Sequence, residues 1–258
     1  MPTTSNTFYF SHNVDNVSRP PVLFIHGAGG THLHWPPQAR RIPAYRVYAL
    51  DLPAHGKSGG LGSQAISGYA RAVVDFLDAM KLNAAVIVGH SMGGGIAMSL
   101  ALDFPKRVLG LGLIGTGARL RVAPQILEST SRAETFPAAV KLINNLEFSP
   151  SVNPRLKELA RQRMAEIRPT VLHGDFLACN EFDVMKRLNE IHVPTLILCG
   201  ADDQLTPPKY SEYLRAQIPG SQLVIVPDSG HMVMLERPEA FTRALAEFLD
   251  TIPYRAGQ

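Results

Sequence analysis

The chain has 258 residues, of which 45% are hydrophobic and 18% charged, and its formal net charge is +3. The length fits one large α/β domain, and the composition excludes an intrinsically disordered chain, which would carry fewer apolar and more charged residues. No run of about five like charges occurs, so no nucleic acid or membrane partner is expected. Cys179 and Cys199 are too few for a disulfide framework, and no signal peptide or stretch of about 18 apolar residues is present, so a cytoplasmic location is expected.

Short apolar runs rich in β-branched residues alternate with longer helical patterns along most of the chain. The predicted strands are residues 7–11, 22–25, 47–50, 85–88, 108–114, 195–199 and 222–226. Tyr69, Val73 and Leu77 follow helical spacing between the third and fourth of these strands, and Pro238 opens the last helix. The alternation predicts an α/β fold with a mostly parallel sheet of seven or eight strands flanked by helices.

One long segment, residues 119–190, breaks this alternation. It contains no strand-like run, and prolines at positions 124, 137, 150, 154 and 169 separate its helical patterns. An all-helical segment between two strands predicts a helical cap, which in an eight-stranded sheet is inserted after the sixth core strand. Residues 1–118 and 191–258 then form the core, and the cap is an insertion without the composition of an independent domain.

Residues 89–93 read GHSMG, directly after a predicted strand and directly before a helical pattern. A serine in such a strand-to-helix turn projects its hydroxyl from the end of the sheet, and small residues two positions away on each side let the backbones approach. This context predicts that Ser91 is a nucleophile. His90 points elsewhere in a turn of this kind and is interpreted as a packing residue.

A serine hydroxyl needs a base, and the base needs a carboxylate that orients it. Asp202 and Asp203 follow the predicted strand 195–199, and His231 follows the predicted strand 222–226. The carboxyl ends of parallel strands share one sheet edge, so an acid and a base are expected beside the serine, with either aspartate as the acid. His32 and His34 have no cluster of Cys, Asp or Glu to complete a metal site, and no metal is expected.

The negative oxygen of a tetrahedral intermediate also needs hydrogen-bond donors. The backbone N–H of Met92 follows the nucleophile at the positive end of a helix, and residues 26–30 (HGAGG) can turn a second amide inward. Ala28 is the predicted second donor, with Gly27 and Gly29 as alternatives. The dinucleotide pattern GxGxxG and the phosphate-loop pattern GxxxxGK[ST] are both absent from the sequence, and no cofactor is expected.

Five motifs extend nearly from end to end of the chain. They are residues 26–30, 51–58 (DLPAHGKS), 89–93, 200–207 (GADDQLTP) and 230–236 (GHMVMLE). Together they resemble the α/β-hydrolase superfamily, specifically its cap-bearing serine carboxylesterase and lactonase-like members. The resemblance implies Ser91 as nucleophile, Asp203 as acid and His231 as base. It also implies that the backbone N–H groups of Ala28 and Met92 form the oxyanion hole.

Two features depart from the family's pattern. Ala54 stands where the family usually has glycine, and a minor backbone adjustment is expected there. Only one clear strand precedes Val22, where relatives usually have a hairpin, and this favours seven strands over eight.

The predicted function is cleavage of a small-molecule carboxylic ester, with a small or medium acyl or alcohol group, through an acyl-enzyme. Cleavage of a lactone or of a carbon–carbon bond next to a carbonyl is the alternative within this fold. A ligand receptor with slow turnover is the alternative from another class. The chain is expected to be a monomer or a homodimer.

The substrate pocket is predicted to be apolar. Its candidate lining residues are Trp35, Phe136, Leu142, Phe148 and Met232. The arginines at 119, 121, 161 and 163 are interpreted as solvent-facing helix residues.

Overall fold

The structure is a computed structural model and describes residues 3–4, 6–14 and 18–253. Eight strands occur in these residues: β1 (Thr3–Thr4), β2 (Thr7–His12), β3 (Val22–Ile25), β4 (Val47–Leu50), β5 (Ala85–His90), β6 (Val108–Ile114), β7 (Thr195–Gly200) and β8 (Gln222–Val226). The α-helices are α1 (Pro37–Arg40), α2 (Ile66–Ala79), α3 (Met92–Asp103), α4 (Pro124–Thr130), α5 (Phe136–Glu147), α6 (Pro154–Ala165), α7 (Pro169–Glu181), α8 (Pro208–Gln217), α9 (Val233–Glu236) and α10 (Pro238–Asp250). Short 3₁₀ helices cover His32–His34, Pro105–Arg107 and Met185–Glu190. None of the described helices has the length and apolar character needed to cross a membrane.

The strands form one sheet in the order β1-β2-β4-β3-β5-β6-β7-β8. β2 pairs antiparallel with both β1 and β4, and all other neighbours are parallel. The predicted mostly parallel α/β fold is therefore confirmed. The sheet has eight strands rather than seven, because the two residues of β1 pair with β2, and a two-residue strand is too short to leave a periodic pattern in the sequence.

The central strands are apolar on both faces because helices cover both sides of the sheet. Leu23 and Ile25 of β3 pack in a core with α2, α3 and α8, whereas Phe24 packs in a second core with α10. The alternation follows from the two-residue period of a strand, which sends neighbouring side chains to opposite faces. Packing in both cores holds the parallel strands in register. The carboxyl ends of these strands therefore lie along one edge of the sheet.

The segment between β6 and β7 is helical, with α4, α5, α6, α7 and the 3₁₀ turn Met185–Glu190. Pro124, Pro154 and Pro169 each open a helix, since the first helical position needs no N–H donor and suits the fixed proline φ. A small apolar cluster of its own holds these helices together. The division of the chain into cap and core at residues 119–190 remains a prediction.

Ala54 keeps the backbone conformation that suits glycine. Its φ is +70°, in the left-handed region. Hydrogen bonds hold this turn, from the Ala54 N–H to the Gly59 carbonyl at 2.9 Å and from Arg168 to the Ala54 carbonyl at 3.0 Å. Ala54 thus adopts a conformation that is uncommon for a residue with a β-carbon, and the backbone adjustment expected relative to the family's glycine stays a prediction.

Candidate active site

Ser91 lies in the tight turn between β5 and α3. Its φ of 53° and ψ of −117° are rare for a residue with a side chain, and strain of this kind concentrates at functional sites. A β-carbon on Gly89 would lie 2.0 Å from the Gly93 carbonyl oxygen, and one on Gly93 would lie 2.2 Å from the Ile25 carbonyl oxygen. These distances exclude any side chain at either position, which explains the glycines on both sides of the serine. The Ser91 N–H donates to the Ile114 carbonyl of β6 at 2.9 Å and ties the turn to the sheet.

Asp203 and His231 follow β7 and β8, and their side chains meet. His231 Nδ1 lies 2.9 Å from Asp203 Oδ2. Asp203 Oδ1 accepts the backbone N–H groups of Leu205 and Thr206 at 2.9 and 2.8 Å, and the Thr206 hydroxyl donates to Oδ2 at 2.8 Å. Asp202 is in a different network, where it accepts the Ser149 hydroxyl at 2.7 Å. The aspartate that contacts the histidine is therefore Asp203.

The pKa values of this pair move in opposite directions. Burial opposes charge on His231, but the charge of Asp203 and its hydrogen bond outweigh burial, so the pKa of His231 is raised above its usual value. Burial also opposes charge on Asp203, but His231 and the hydrogen bonds from His231 and Thr206 outweigh it, so the pKa of Asp203 is lowered. An ionised Asp203 keeps the proton of neutral His231 on Nδ1, which leaves Nε2 to accept a proton.

The loop after β3 (residues 26–30) approaches the serine turn closely. A β-carbon on Gly27 would lie 3.1 Å from the Ser91 β-carbon. The Gly29 N–H is already taken by Asp175 at 2.8 Å, and the Gly30 N–H donates to the Gly27 carbonyl at 3.0 Å. Within the described residues the Ala28 N–H has no such acceptor. Gly29 is thus unavailable as an oxyanion donor, whereas Ala28 lines the same cavity as Ser91.

A cavity of about 700 Å³ connects these residues. Ser91, His231 and Ala28 line it from the core, together with Thr206. The helical segment contributes mostly apolar walls, with Leu120, Val122, Ile126, Leu127, Leu146 and Phe176. Its volume falls in the range of small-molecule sites, and its walls are mainly apolar around a few polar groups.

The five predicted pocket residues lie elsewhere, which corrects that prediction. Trp35 is fully buried between Phe24 and Phe241, and Phe148 and Met232 pack in the same core. Phe136 and Leu142 belong to the separate cluster of the helical segment. Their large apolar side chains are used for packing between helices and sheet, which the sequence pattern does not distinguish from a pocket wall.

One of the four arginines interpreted as solvent-facing lines the cavity. Arg121 belongs to its wall, although its side chain is also exposed. Arg119 pairs with Asp183 at 3.4 Å, and Arg161 pairs with Glu158 at 2.7 Å.

Sequence reasoning assigned no role to Thr206 or Glu236. Thr206 contacts both Asp203 and His231, at 2.8 and 3.2 Å. Glu236 accepts the backbone N–H groups of Gly230 and Ser149 at 2.9 and 3.0 Å, which ties the histidine loop to the residues after α5. Both residues lie within the motifs 200–207 and 230–236, so their presence there was the available signal.

Two other histidines considered in the sequence, His90 and His32, make structural contacts. His90 is buried, its Nε2–H donates to the His231 carbonyl at 3.0 Å, and the two rings lie 4.6 Å apart. These contacts agree with the interpretation of His90 as a packing residue. His32 Nδ1 lies 2.7 Å from Asp51 Oδ1, in the loop after β4.

Comparison with known proteins gives the family of this arrangement. A family model described as the alpha/beta hydrolase fold matches residues 20–238. The chain is 30% identical over 250 residues to the 2-hydroxy-6-oxo-6-phenylhexa-2,4-dienoate hydrolase of Burkholderia cepacia, with 88% of this chain and 87% of that protein covered. A solved structure of a thermophilic esterase matches with a TM-score of 0.81 and 36% identity, and the match covers 95% of this chain and 98% of the other.

A further relative is longer than this chain. It is the dihydrolipoyllysine-residue acetyltransferase component of the acetoin cleaving system of Cupriavidus necator, 32% identical over 238 residues. The match covers 88% of this chain but only 63% of that protein, so the chain spans less than two thirds of its length. The esterase and the dienoate hydrolase support a hydrolase of this fold. With a family match that begins just before β3 and reaches the first residue of α10, the chain belongs to the α/β-hydrolase fold family.

Proposed function

We propose that the chain is a serine hydrolase that cleaves a carboxylic ester with a small or medium acyl or alcohol group. The observation that carries this proposal is that Ser91 and His231 line one cavity, while Asp203 holds Nδ1 of His231 at 2.9 Å. The 36% identity to a thermophilic esterase supports the ester as the substrate class.

In the first half of the reaction, Ser91 Oγ attacks the carbonyl carbon of the ester, and its proton passes to His231 Nε2. Asp203 stabilises the imidazolium that forms. The carbonyl oxygen becomes negative, and the backbone N–H groups of Ala28 and Met92 donate to it. The intermediate then collapses, the bond to the alcohol oxygen breaks, and His231 returns the proton to that oxygen.

The second half repeats these steps with water. His231 accepts a proton from water, the resulting hydroxide oxygen bonds to the acyl carbon, and the bond to Ser91 Oγ breaks. The proton returns to Ser91 and the carboxylic acid leaves. One ester and one water thus give one alcohol and one acid, and the protein is regenerated.

Two other functions make different predictions. The similarity to the dienoate hydrolase of Burkholderia cepacia favours hydrolysis of a carbon–carbon bond next to a carbonyl as the second candidate. A ligand receptor with slow turnover would instead react with an ester once and stay acylated.

The test is steady-state hydrolysis of p-nitrophenyl acetate, butyrate and longer esters, with a lactone and a vinylogous 1,5-diketone in the same panel. We expect many turnovers per site with the esters. Ser91→Ala is expected to lower kcat by roughly 10³- to 10⁶-fold without loss of the fold. A single burst without recycling would support the receptor, and faster cleavage of the diketone would support the second candidate.

Ser99→Ala is the matched control. Ser99 is a buried serine on α3, the helix that begins directly after Ser91, and it does not line the cavity. Its variant loses the same hydroxyl and is expected to keep wild-type turnover. If Ser91→Ala and Ser99→Ala hydrolyse esters equally well, the proposal is wrong.

A further inference from the structure

Helix α7 carries a fully buried carboxylate, Asp175, on an otherwise apolar face. The residues three and four positions away from it are also buried and are all apolar: Val171, Leu172, Ala178 and Cys179. A carboxylate in such surroundings is costly unless its charge and its hydrogen-bonding capacity are both satisfied. The helical period of the apolar residues predicts an apolar side chain at position 175, and the sequence has an aspartate there instead.

The side-chain hydrogen bonds of Asp175 within the described residues all lead to the core. Its Oδ2 accepts the Gly29 backbone N–H at 2.8 Å and the His55 Nε2–H at 2.7 Å. Its Oδ1 accepts the Tyr69 hydroxyl at 2.5 Å. Gly29 lies in the loop after β3, His55 in the loop after β4 and Tyr69 in α2. One carboxylate therefore joins α7 to three separate core segments.

The environment of His55 makes this contact an ion pair. While Nε2 faces Asp175, Nδ1 lies 2.9 Å from the Pro53 carbonyl oxygen. Both neighbours are acceptors, so both ring nitrogens have a partner only when both carry a proton. Burial opposes this charge, but Asp175 outweighs it and raises the pKa of His55. The charge of Asp175 is thus balanced locally, and its oxygens stay fixed.

The Gly29 amide that Asp175 holds is next to the proposed oxyanion donor. The Gly29 N–H lies in the same planar peptide group as the Ala28 carbonyl. When Asp175 fixes the direction of this N–H, it therefore also restricts the backbone rotation at Ala28 that orients the Ala28 N–H. Gly29 has a φ of +61°, and a β-carbon there would lie 2.8 Å from methyl groups of Ile167 and Leu172. The helical segment therefore packs directly on this loop and leaves it little room to move.

We propose that Asp175 is a positioning residue that holds the Ala28 amide in the orientation needed to stabilise the oxyanion. This inference rests on the proposed function of Ala28. The same helix lines the cavity through Phe176, Cys179 and Asn180. The residues of α7 that line the cavity and the loop that carries the proposed oxyanion donor are thus linked through one carboxylate.

A misdirected oxyanion donor weakens binding of the transition state but not of the ester itself. Loss of one donor costs on the order of 10²- to 10³-fold in kcat, so a displaced donor is expected to cost about 10- to 100-fold. The KM should change by less than about threefold. The Asp175→Asn variant keeps an oxygen for the Gly29 N–H and should retain more of kcat than Asp175→Ala.

The experiment compares wild type, Asp175→Ala and Asp175→Asn as full-length proteins in hydrolysis of p-nitrophenyl butyrate. Active sites are counted by titration with a fluorophosphonate, so that kcat refers to reactive Ser91 only. A trifluoromethyl ketone, which forms an oxyanion on the serine, is measured as an inhibitor. Its affinity is expected to fall by the same factor as kcat/KM, in the order wild type, Asn variant, Ala variant.

Asp183→Ala is the control, because it removes a carboxylate from the same helical segment at a position away from the cavity. Asp183 is an exposed carboxylate that pairs with Arg119, and its variant should keep wild-type kcat and inhibitor affinity. If Asp175→Ala only lowers the melting temperature while kcat per site and inhibitor affinity stay at wild-type values, the positioning role is overturned. Should the Ala variant not fold, the Asn variant decides: a lower kcat at constant KM supports the role, and an unchanged kcat overturns it.

The Ser91→Ala measurement separates the two proposals. If Ser91→Ala is inactive while Asp175→Ala retains full kcat, only the positioning role fails. If Ser91→Ala retains wild-type turnover, the proposed function fails and the positioning role fails with it.

Discussion

Asp203 Oδ2 lies 2.9 Å from His231 Nδ1, while the adjacent Asp202 accepts a hydrogen bond from Ser149 instead. The close approach of two loops produces this difference. A β-carbon on Gly200, at the end of β7, would lie 2.2 Å from the carbonyl oxygens of Ser229 and Gly230. The turn with the aspartates and the loop with the histidine therefore touch at their backbones, and only one of the two carboxylates reaches the imidazole.

Replacing the two aspartates separately by asparagine is expected to give very different losses. Asp203→Asn removes the charge that orients His231 and stabilises its protonated form, so kcat should fall by about 10³- to 10⁴-fold. Asp202→Asn should stay within about threefold of wild type, because Asp202 contacts a hydroxyl outside the cavity. Ester hydrolysis at saturating substrate measures both, and the reverse ranking would contradict the assignment of Asp203 as the acid.

The pH dependence of ester hydrolysis is expected to report His231. The base must be neutral, so kcat/KM should rise with pH and reach its midpoint above 6.5, since Asp203 raises the pKa of His231. In Asp203→Asn the charge is gone and burial, which lowers the pKa, dominates. The remaining activity should therefore have a midpoint at lower pH than wild type, whereas Asp202→Asn should keep the wild-type midpoint. An unchanged midpoint in Asp203→Asn would show that another group limits the rate.

Arg121 is the one lysine or arginine among the described residues that line the cavity. A carboxylate on the substrate should therefore bind more tightly through an ion pair with Arg121. Because Arg121 is exposed to solvent, this ion pair should contribute only about 1 kcal/mol, which lowers KM by about fivefold. Arg121→Gln is expected to raise KM for an ester that carries a carboxylate, such as mono-p-nitrophenyl glutarate, and to leave p-nitrophenyl butyrate unaffected.

Arg119→Gln provides the comparison for this measurement, because Arg119 is paired with Asp183 and does not line the cavity. Equal KM values for the charged ester in the two variants would argue against a role of Arg121 in binding.

Glu147, at the end of α5, is buried close to His231, and burial raises the pKa of its carboxyl to about 7. The unfolded chain releases this proton near pH 4.5, whereas the folded protein keeps it until about pH 7. The free energy of unfolding therefore falls as pH rises between these values. Glutamine does not titrate, so the Glu147→Gln variant lacks this decrease. The free energy of unfolding of the variant minus that of wild type should therefore grow by up to about 3 kcal/mol as the pH is raised from about 4 to 8.

Urea denaturation at several pH values measures this difference. Glu128→Gln makes the same substitution at the exposed surface of α4 and serves as the control. A stability difference for Glu147→Gln that does not change with pH would contradict a buried, protonated Glu147.

Local sequence features predicted much of this arrangement. The alternation of apolar runs and helical patterns indicated the parallel sheet, because burial on both faces demands it. The glycines on both sides of Ser91 indicated the turn, since no other residue fits there. The order of Ser91, the aspartates and His231 after successive strands placed them at one edge, because parallel strands share their carboxyl edge.

Other features depend on contacts between segments far apart in the chain. The spacing of the residues did not decide whether Asp202 or Asp203 contacts His231. The backbone contact between the two loops places only Asp203 beside the imidazole. The sequence also allowed Gly29 as an oxyanion donor, but its amide is taken by Asp175, which is 146 residues away. Trp35 has the apolar character of a pocket wall and is instead enclosed by Phe24 and Phe241.

The sequence by itself therefore determined the fold class and the turn that presents Ser91, because periodicity and steric fit act over a few residues. The tertiary structure decided which amides and carboxylates are already occupied and which side chains of the helical segment face the cavity. Those outcomes depend on how helices α4 to α7 pack on the core, and the packing partners are set by long-range contacts that no local pattern specifies.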